Sequence, residues 1–189
     1  MIEVVPYKEI WPSEFQAIAG PIRQALGELA LRIDHIGSTA VPGLAAKDRI
    51  DIQVTVQELD PAIEQALNAA GYTRLERITQ DHIPPQGPLN PGLWAKWLFN
   101  PPDGQRPTNL HVRRAGLPNQ RYPLLFRDYL RAHPESAEAY ARVKLALAKY
   151  HSDDIEAYYD VKDPVCDIIV DAAELWAAAC SWQPGPSDS

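Results

Sequence analysis

Apolar side chains recur at two spacings along this chain, and the balance between them changes past residue 115. Before it, short apolar runs alternate with helical stretches. After it, nearly every apolar residue falls at helical spacing. Ile2-Glu3-Val4-Val5 predicts a short strand. Phe15, Ile18, Ile22 and Leu26 predict a helix entered through Trp11-Pro12-Ser13-Glu14, with Ser13 as N-cap and a kink or break at Gly20-Pro21. Leu29 to Ile36 and the alternating, β-branched run Arg49 to Val56 predict two strands. Asp60-Pro61 supplies an N-cap and a proline at the first helical position, opening a helix that ends near Gly71, and Tyr72 to Leu75 predicts a third strand.

From Asp81 to Pro107 prolines and glycines exclude long regular elements. Leu93 to Phe99 and Thr108 to Val112 survive as strands, paired as a hairpin with a long tip, and the loops between the prolines are suited to walling or covering a pocket. The helical half follows. Tyr122, Leu125, Phe126, Tyr129, Leu130 and His133 share one face, Glu135 to Tyr150 is Ala-rich, and Asp163-Pro164 is expected to open the last helix. The expected organisation is a single domain over residues 1–182, with an α/β core (1–115), a helical part (116–182) and a disordered polar tail (183–189).

Composition narrows the function classes. At 189 residues and 46% hydrophobic content the chain can bury a substantial core. A net charge of -7 argues against a general nucleic-acid surface while leaving room for a small basic pocket. No run approaches the roughly 18 apolar residues of a membrane span. The start at Met1-Ile2-Glu3 has no basic leader, so a cytoplasmic protein is expected. Cys166 and Cys180, about 20 Å apart if they share a helix, cannot pair and are read as free thiols that pack as small residues. No Cys-x-x-Cys or His-x₃-His spacing suggests zinc.

Candidate chemistry gathers around Asp34-His35-Ile36-Gly37-Ser38 and Ile50-Asp51-Ile52-Gln53. Glycine lets backbone approach a ligand, and the N–H groups after Gly37-Ser38 are suited to phosphate. Asp51, a carboxylate inside an apolar run, needs a partner: either Mg²⁺ or a local cation such as Arg49 or Lys47. Its same-face neighbour two positions on, Gln53, is neutral. Asn109, His111 and Arg113 share one face of their strand, a polar pocket wall in which His111 is a candidate acid/base or ligand. His35 is expected to line the same pocket. Arg127 and Lys144 are candidate anion contacts, and Trp94 and Trp97 read as sheet packing.

The run His35 to Lys47 followed by Ile50-Asp51-Ile52-Gln53-Val54 resembles the GrpB family signature. So do Asn109-Leu110-His111-Val112, Pro118-Asn119-Gln120-Arg121, Phe126 to Arg131 and Tyr158 to Lys162. Similar domains occur fused behind dephospho-CoA kinase in some bacteria. The resemblance implies an α+β, nucleotidyltransferase-like fold of the polymerase-beta type, with a mixed or antiparallel sheet, flanking helices and a helical C-terminal part. That superfamily uses Gly-Ser, an Asp-x-Asp strand and a third carboxylate to hold two metals. Here Gly37-Ser38 and Asp51 match, Gln53 replaces the second Asp, and His111 stands where the third carboxylate is expected. Two readings follow. One is a divergent nucleotidyl- or phosphoryl-transfer enzyme, with Asp51 and His111 catalytic and Asp51 holding Mg²⁺ or Mn²⁺. The other is a catalytically degenerate module binding a nucleotide or CoA-like anion. In both, His35, Gly37, Ser38, Lys47, Gln53, Asn109, Arg113, Arg127 and Lys144 are the expected contacts to a small-molecule partner.

Overall fold

Strict alternation in the run Ile50–Val56 (β2) sets up the architecture. Ile50, Ile52, Val54 and Val56 are fully buried on one face, while Asp51, Gln53 and Thr55 look to the other. In the computed structural model, which describes residues 1–189, β2 pairs antiparallel with Arg32–Ile36 (β1) and parallel with Thr108–Arg114 (β5). Lys96–Asn100 (β4) pairs antiparallel with β5, and Thr73–Arg74 (β3) with β4, giving the sheet order β1-β2-β5-β4-β3. The hairpin read from the sequence is therefore present. Register sets Asp51 beside Asn109, Gln53 beside His111 and Thr55 beside Arg113, so the polar positions of two strands form a single polar face.

Trp11–Leu26 (α1) and Pro61–Ala69 (α2) cover the apolar face, with Trp11, Phe15, Ile22, Ile63 and Leu67 packed on Ile33, Ile52, Val54, Leu110 and Val112. Asp60 caps α2 as expected, its carboxylate accepting from Ala62 N at 2.8 Å. The helical half is Pro118–Ala132 (α3), Pro134–Tyr150 (α4) and Ile155–Cys180 (α5), and it stands over the polar face. No helix is long and apolar enough to cross a membrane.

Several expectations fail, each for a local reason. Helix α1 starts at Trp11, with Pro12 in its first turn, and Ser13 instead donates to Ile10 O at 2.8 Å. It also runs on through Pro21. A mid-helix proline costs about 3 kcal/mol, which the burial of Trp11, Phe15, Ile18, Ala19, Ile22 and Leu26 along one face outweighs. Helix α5 opens at Ile155, a full two turns before Pro164, because Asp154 caps it by accepting from Ala157 N at 2.9 Å. Ile2–Val5 makes only a single bridge, Val5 to Ala46. Pro91–Trp94 winds into a short 3-10 turn, so β4 begins only at Lys96. Cys166 and Cys180 are both free thiols as expected, but only the first packs as a small buried residue, and the second is exposed. The tail expected to be disordered lies against β1: Ser187 Oγ accepts from Ile33 N at 2.8 Å and Asp188 accepts from His35 N at 3.0 Å. The edge of β1 has unpaired backbone groups, and the tail's short polar side chains satisfy them.

Candidate functional site

The polar face of the sheet and the helices above it enclose a cavity of about 850 Å³. Six Lys or Arg side chains line it against five carboxylates, in a chain whose net charge is -7. One of those carboxylates, Asp48, is occupied from outside by Lys8 and Arg106. The space is thus locally positive inside an acidic protein.

Asp51 projects from β2 onto the floor. Asn109 Nδ2 donates to its Oδ1 at 2.7 Å, a direct product of the β2–β5 register. Burial pushes the Asp51 carboxyl above its ordinary range, against the opposing effect of the Asn109 hydrogen bond and of Lys47 and Lys162. Gly37 is packed against it. At φ +72° the backbone is in a glycine conformation, and a Cβ there would stand 2.5 Å from Asp51 Oδ2. Gly37→Ala should therefore displace Asp51 and strain the turn, lowering stability by about 1–3 kcal/mol in urea unfolding.

Ser38 opens a 3-10 turn, Ser38–Ala40, at the rim. Lys144 reaches down from α4 and donates to Ser38 Oγ at 2.8 Å and to Ala45 O at 2.6 Å, with its Nζ 4.4 Å from the Tyr140 ring centroid. It is 2% exposed, and no carboxylate lies within ion-pair distance of it. Burial, reinforced by the like charge of Lys162, lowers its pKa to about 7. Two residues on from Ala45, Lys47 Nζ donates to Tyr159 Oη at 3.0 Å and lies over the Tyr158 and Tyr159 rings.

The far wall is a closed charge network. Arg113 grips Asp81 through Nε and Nη2, both at 2.8 Å, and donates through Nη1 to Gln53 Oε1 at 2.8 Å. Lys96 adds 2.6 Å to Asp81, and Asn119 adds 3.1 Å. Burial alone would raise the Asp81 pKa, but Arg113 and Lys96 overcome it and hold the carboxyl well below its usual range. His111 Nδ1 lies 3.3 Å from Arg113 Nη2, so it must accept, which leaves the proton on Nε2. Burial and then the Arg113 charge keep the imidazole neutral.

The structure thus brings Gly37, Ser38, Lys47, Asp51, Asn109, His111, Arg113 and Lys144 to one cavity. Three expected contacts fall elsewhere. His35 points to the opposite face, stacked on Phe15 with centroids 4.9 Å apart, because it alternates with Asp34 and Ile36 along β1. Gln53 is fully buried beneath the cavity, fixed by Arg113 and by its own bond to Gln120 O at 2.9 Å. Arg127, also buried, is held by Asp128, His35 O and Asp188. Asp81, Lys96, Asn119 and Lys162 line the cavity without having been singled out for it. Lys96 carried the same signal as Asp51, a charge inside an apolar strand. Asp81, in the proline-rich segment, carried none.

The donor set does not fit a pair of divalent metals. Asp51 is the one carboxylate free of a cation clamp on that floor, Asp81 is consumed by Arg113 and Lys96, and no group of three His, Cys, Asp or Glu side chains converges anywhere in the structure.

A family profile described as GrpB protein matches residues 1–172. The chain belongs to the GrpB family. The crystal structure of the conserved protein GrpB from Enterococcus faecalis superimposes with a TM-score of 0.70 at 30% identity, covering 92% of this chain and 99% of that one. Among curated relatives, a dephospho-CoA kinase of Mycobacterium tuberculosis is 42% identical over 96% of this chain and 48% of its own length. A UPF0157 protein of Pseudomonas aeruginosa is 39% identical over 87% of this chain and 64% of its own. The chain therefore spans about half the length of the mycobacterial relatives. The five-stranded mixed sheet with five α-helices around it is the α+β arrangement, with a helical C-terminal part, that the resemblance implied.

Proposed function

We propose that this GrpB protein binds a small phosphorylated ligand of the nucleotide or CoA type in the 850 Å³ cavity, directly through protein cations rather than through a metal pair. The observation that carries this reading is Lys144: an ammonium buried to 2%, with no carboxylate partner, hydrogen-bonded to the serine of the Gly-Ser turn. Burying an unpaired charge is costly, and an incoming phosphate offsets that cost. Ser38 and Lys144 hold the phosphate, Lys47 and Lys162 add charge, and the Tyr158 and Tyr159 rings provide an apolar wall. The dephospho-CoA kinase name of the mycobacterial relatives makes adenine nucleotides and dephospho-CoA the first ligands to try. Titration calorimetry with ATP and with dephospho-CoA should give binding that EDTA leaves unchanged. An absolute requirement for Mg²⁺ or Mn²⁺ would sink the metal-free reading, and no binding by either ligand would sink the nucleotide class.

A transfer enzyme is the second reading, favoured by Asp51 and the neutral His111 facing the same space. Asp51→Asn separates the two: it leaves binding within about twofold if the cavity only binds, since the substitution keeps the hydrogen-bonding shape. Loss of a measurable nucleotidyl- or phosphoryl-transfer reaction in that variant would instead establish the enzyme.

A further inference from the structure

Strand β1 is one of the two edges of the sheet, and its outward backbone groups are those of Ile33 and His35, since Arg32, Asp34 and Ile36 alternate with them. Such an edge is a template for another strand. Here each of the four groups has a partner outside the sheet. Ile33 N donates to Ser187 Oγ at 2.8 Å, and Ile33 O accepts from Ser187 Oγ at 2.9 Å and from Ser189 N at 3.1 Å. His35 N donates to Asp188 Oδ2 at 3.0 Å, and His35 O accepts from Arg127 Nη1 at 3.0 Å. Asp188 then closes the loop by pairing with the same Arg127 nitrogen at 2.7 Å. Arg127 is 2% exposed, so this guanidinium is a built carboxylate site at the sheet edge.

What holds the segment is polar throughout. Residues 186 and 187 are exposed, no residue of 183–189 joins an apolar cluster, and the last apolar anchor is Trp182. Between that anchor and the edge lies Gln183-Pro184-Gly185, a short linker. A segment fixed by hydrogen bonds and one ion pair alone, and tethered by a linker of this kind, opens at low free-energy cost.

We propose that Pro186–Ser189 is an exchangeable strap: the β1 edge with Arg127 is a docking groove for an extended Ser-Asp segment, filled by this chain's own residues and, in trans, by the same residues of a second copy. Exchange of an identical element between protomers is the cheapest route to a dimer, because every contact already exists within one chain. The recognition is made by the tail's side chains: Ser187 Oγ meets both backbone groups of Ile33, Asp188 meets His35 N and Arg127, and Ser189 N adds one main-chain bond to the edge.

A chain ending at residue 182 and a labelled peptide of residues 183–189 test this by fluorescence anisotropy. The shortened chain should bind the peptide, the Asp188→Asn peptide should bind about tenfold more weakly, and the full chain should bind more weakly than the shortened one because its strap competes. The full chain refolded at high concentration should form dimers that excess peptide dissolves. Where the shortened chain fails to fold, full-length Asp188→Asn takes its place and should bind the parent peptide more tightly than the parent protein does. A folded, shortened chain that ignores the peptide overturns the proposal, as do equal binding of the two peptides, dimers insensitive to peptide, and a chain that stays monomeric after refolding.

Discussion

Lys144→Met should weaken nucleotide binding by about 10- to 100-fold, the equivalent of one charge-assisted hydrogen bond of about 1.5–3 kcal/mol, while the unfolding midpoint at neutral pH stays close to the parent's. The two halves of that expectation have one cause. The Lys144 ammonium is desolvated and has no carboxylate within reach, so its charge opposes folding and favours an anion. The pH dependence follows with a definite sign. Folded, the amine takes its proton only below about 7; unfolded, it keeps the proton up to 10.5. Between those values the unfolded chain binds more protons, so stability rises with pH across that window, and the penalty for charging is fully present below it. Ligand binding runs the other way. It needs the ammonium and should weaken as the pH rises past about 7. Calorimetric titrations from pH 6 to pH 9 (roughly spanning that transition) check both trends, and binding that strengthens with pH, or that survives Lys144→Met intact, would remove Lys144 from the site.

Arg113→Met should be the most destabilising single change among the cavity residues, by about 3–5 kcal/mol. Arg113 is 4% exposed and makes three good hydrogen bonds, two to Asp81 and one to Gln53. Its loss leaves Asp81 with Lys96 and Asn119 only, and leaves Gln53 Oε1 buried with no donor. Methionine fills much of the volume, so the cost is electrostatic and can be partly recovered: Arg113→Met combined with Asp81→Asn should regain a good part of it, as a urea-unfolding double-mutant cycle would show. Asp81 also sets an acid limit. Its folded pKa lies below its ordinary 3.8, so the stability it contributes is complete above that value and is lost as the pH falls below it. If Arg113→Met unfolds at the same urea concentration as the parent, the far wall is not a coupled network.

The elements were legible where one local rule dominated. Asp60-Pro61 marked the start of α2, and alternation in Ile50–Val56 marked β2 and sorted its residues onto two faces. Local rules failed where packing overrode them. Pro21 and Pro164 lie inside continuous helices because each helix buries a long apolar face against the rest of the protein. The site was partly legible for the same reason as β2: Asp51, Asn109, His111 and Arg113 were placed together by alternation on two strands, and the β2–β5 register then aligned them. His35 was misplaced because a one-residue step along β1 reverses the face, and nothing in the local sequence says which face of β1 looks to the cavity.

Alone, then, the sequence determined β2, β5 and α2, the two faces of β2 and β5, the Gly-Ser turn before an Asp-bearing strand, and the family resemblance that the comparisons support. These depend on spacing, which is local and is written in the order of residues. Only the tertiary structure decided what each charge does. Gln53, expected as a ligand contact, is sealed beneath the cavity by Arg113; Lys144, one cation among many in a helix, is buried beside Ser38; and the polar tail covers the edge of β1. The worth of a charge depends on its solvent exposure and its partner, and those partners lie 60, 106 and 154 residues away in the chain.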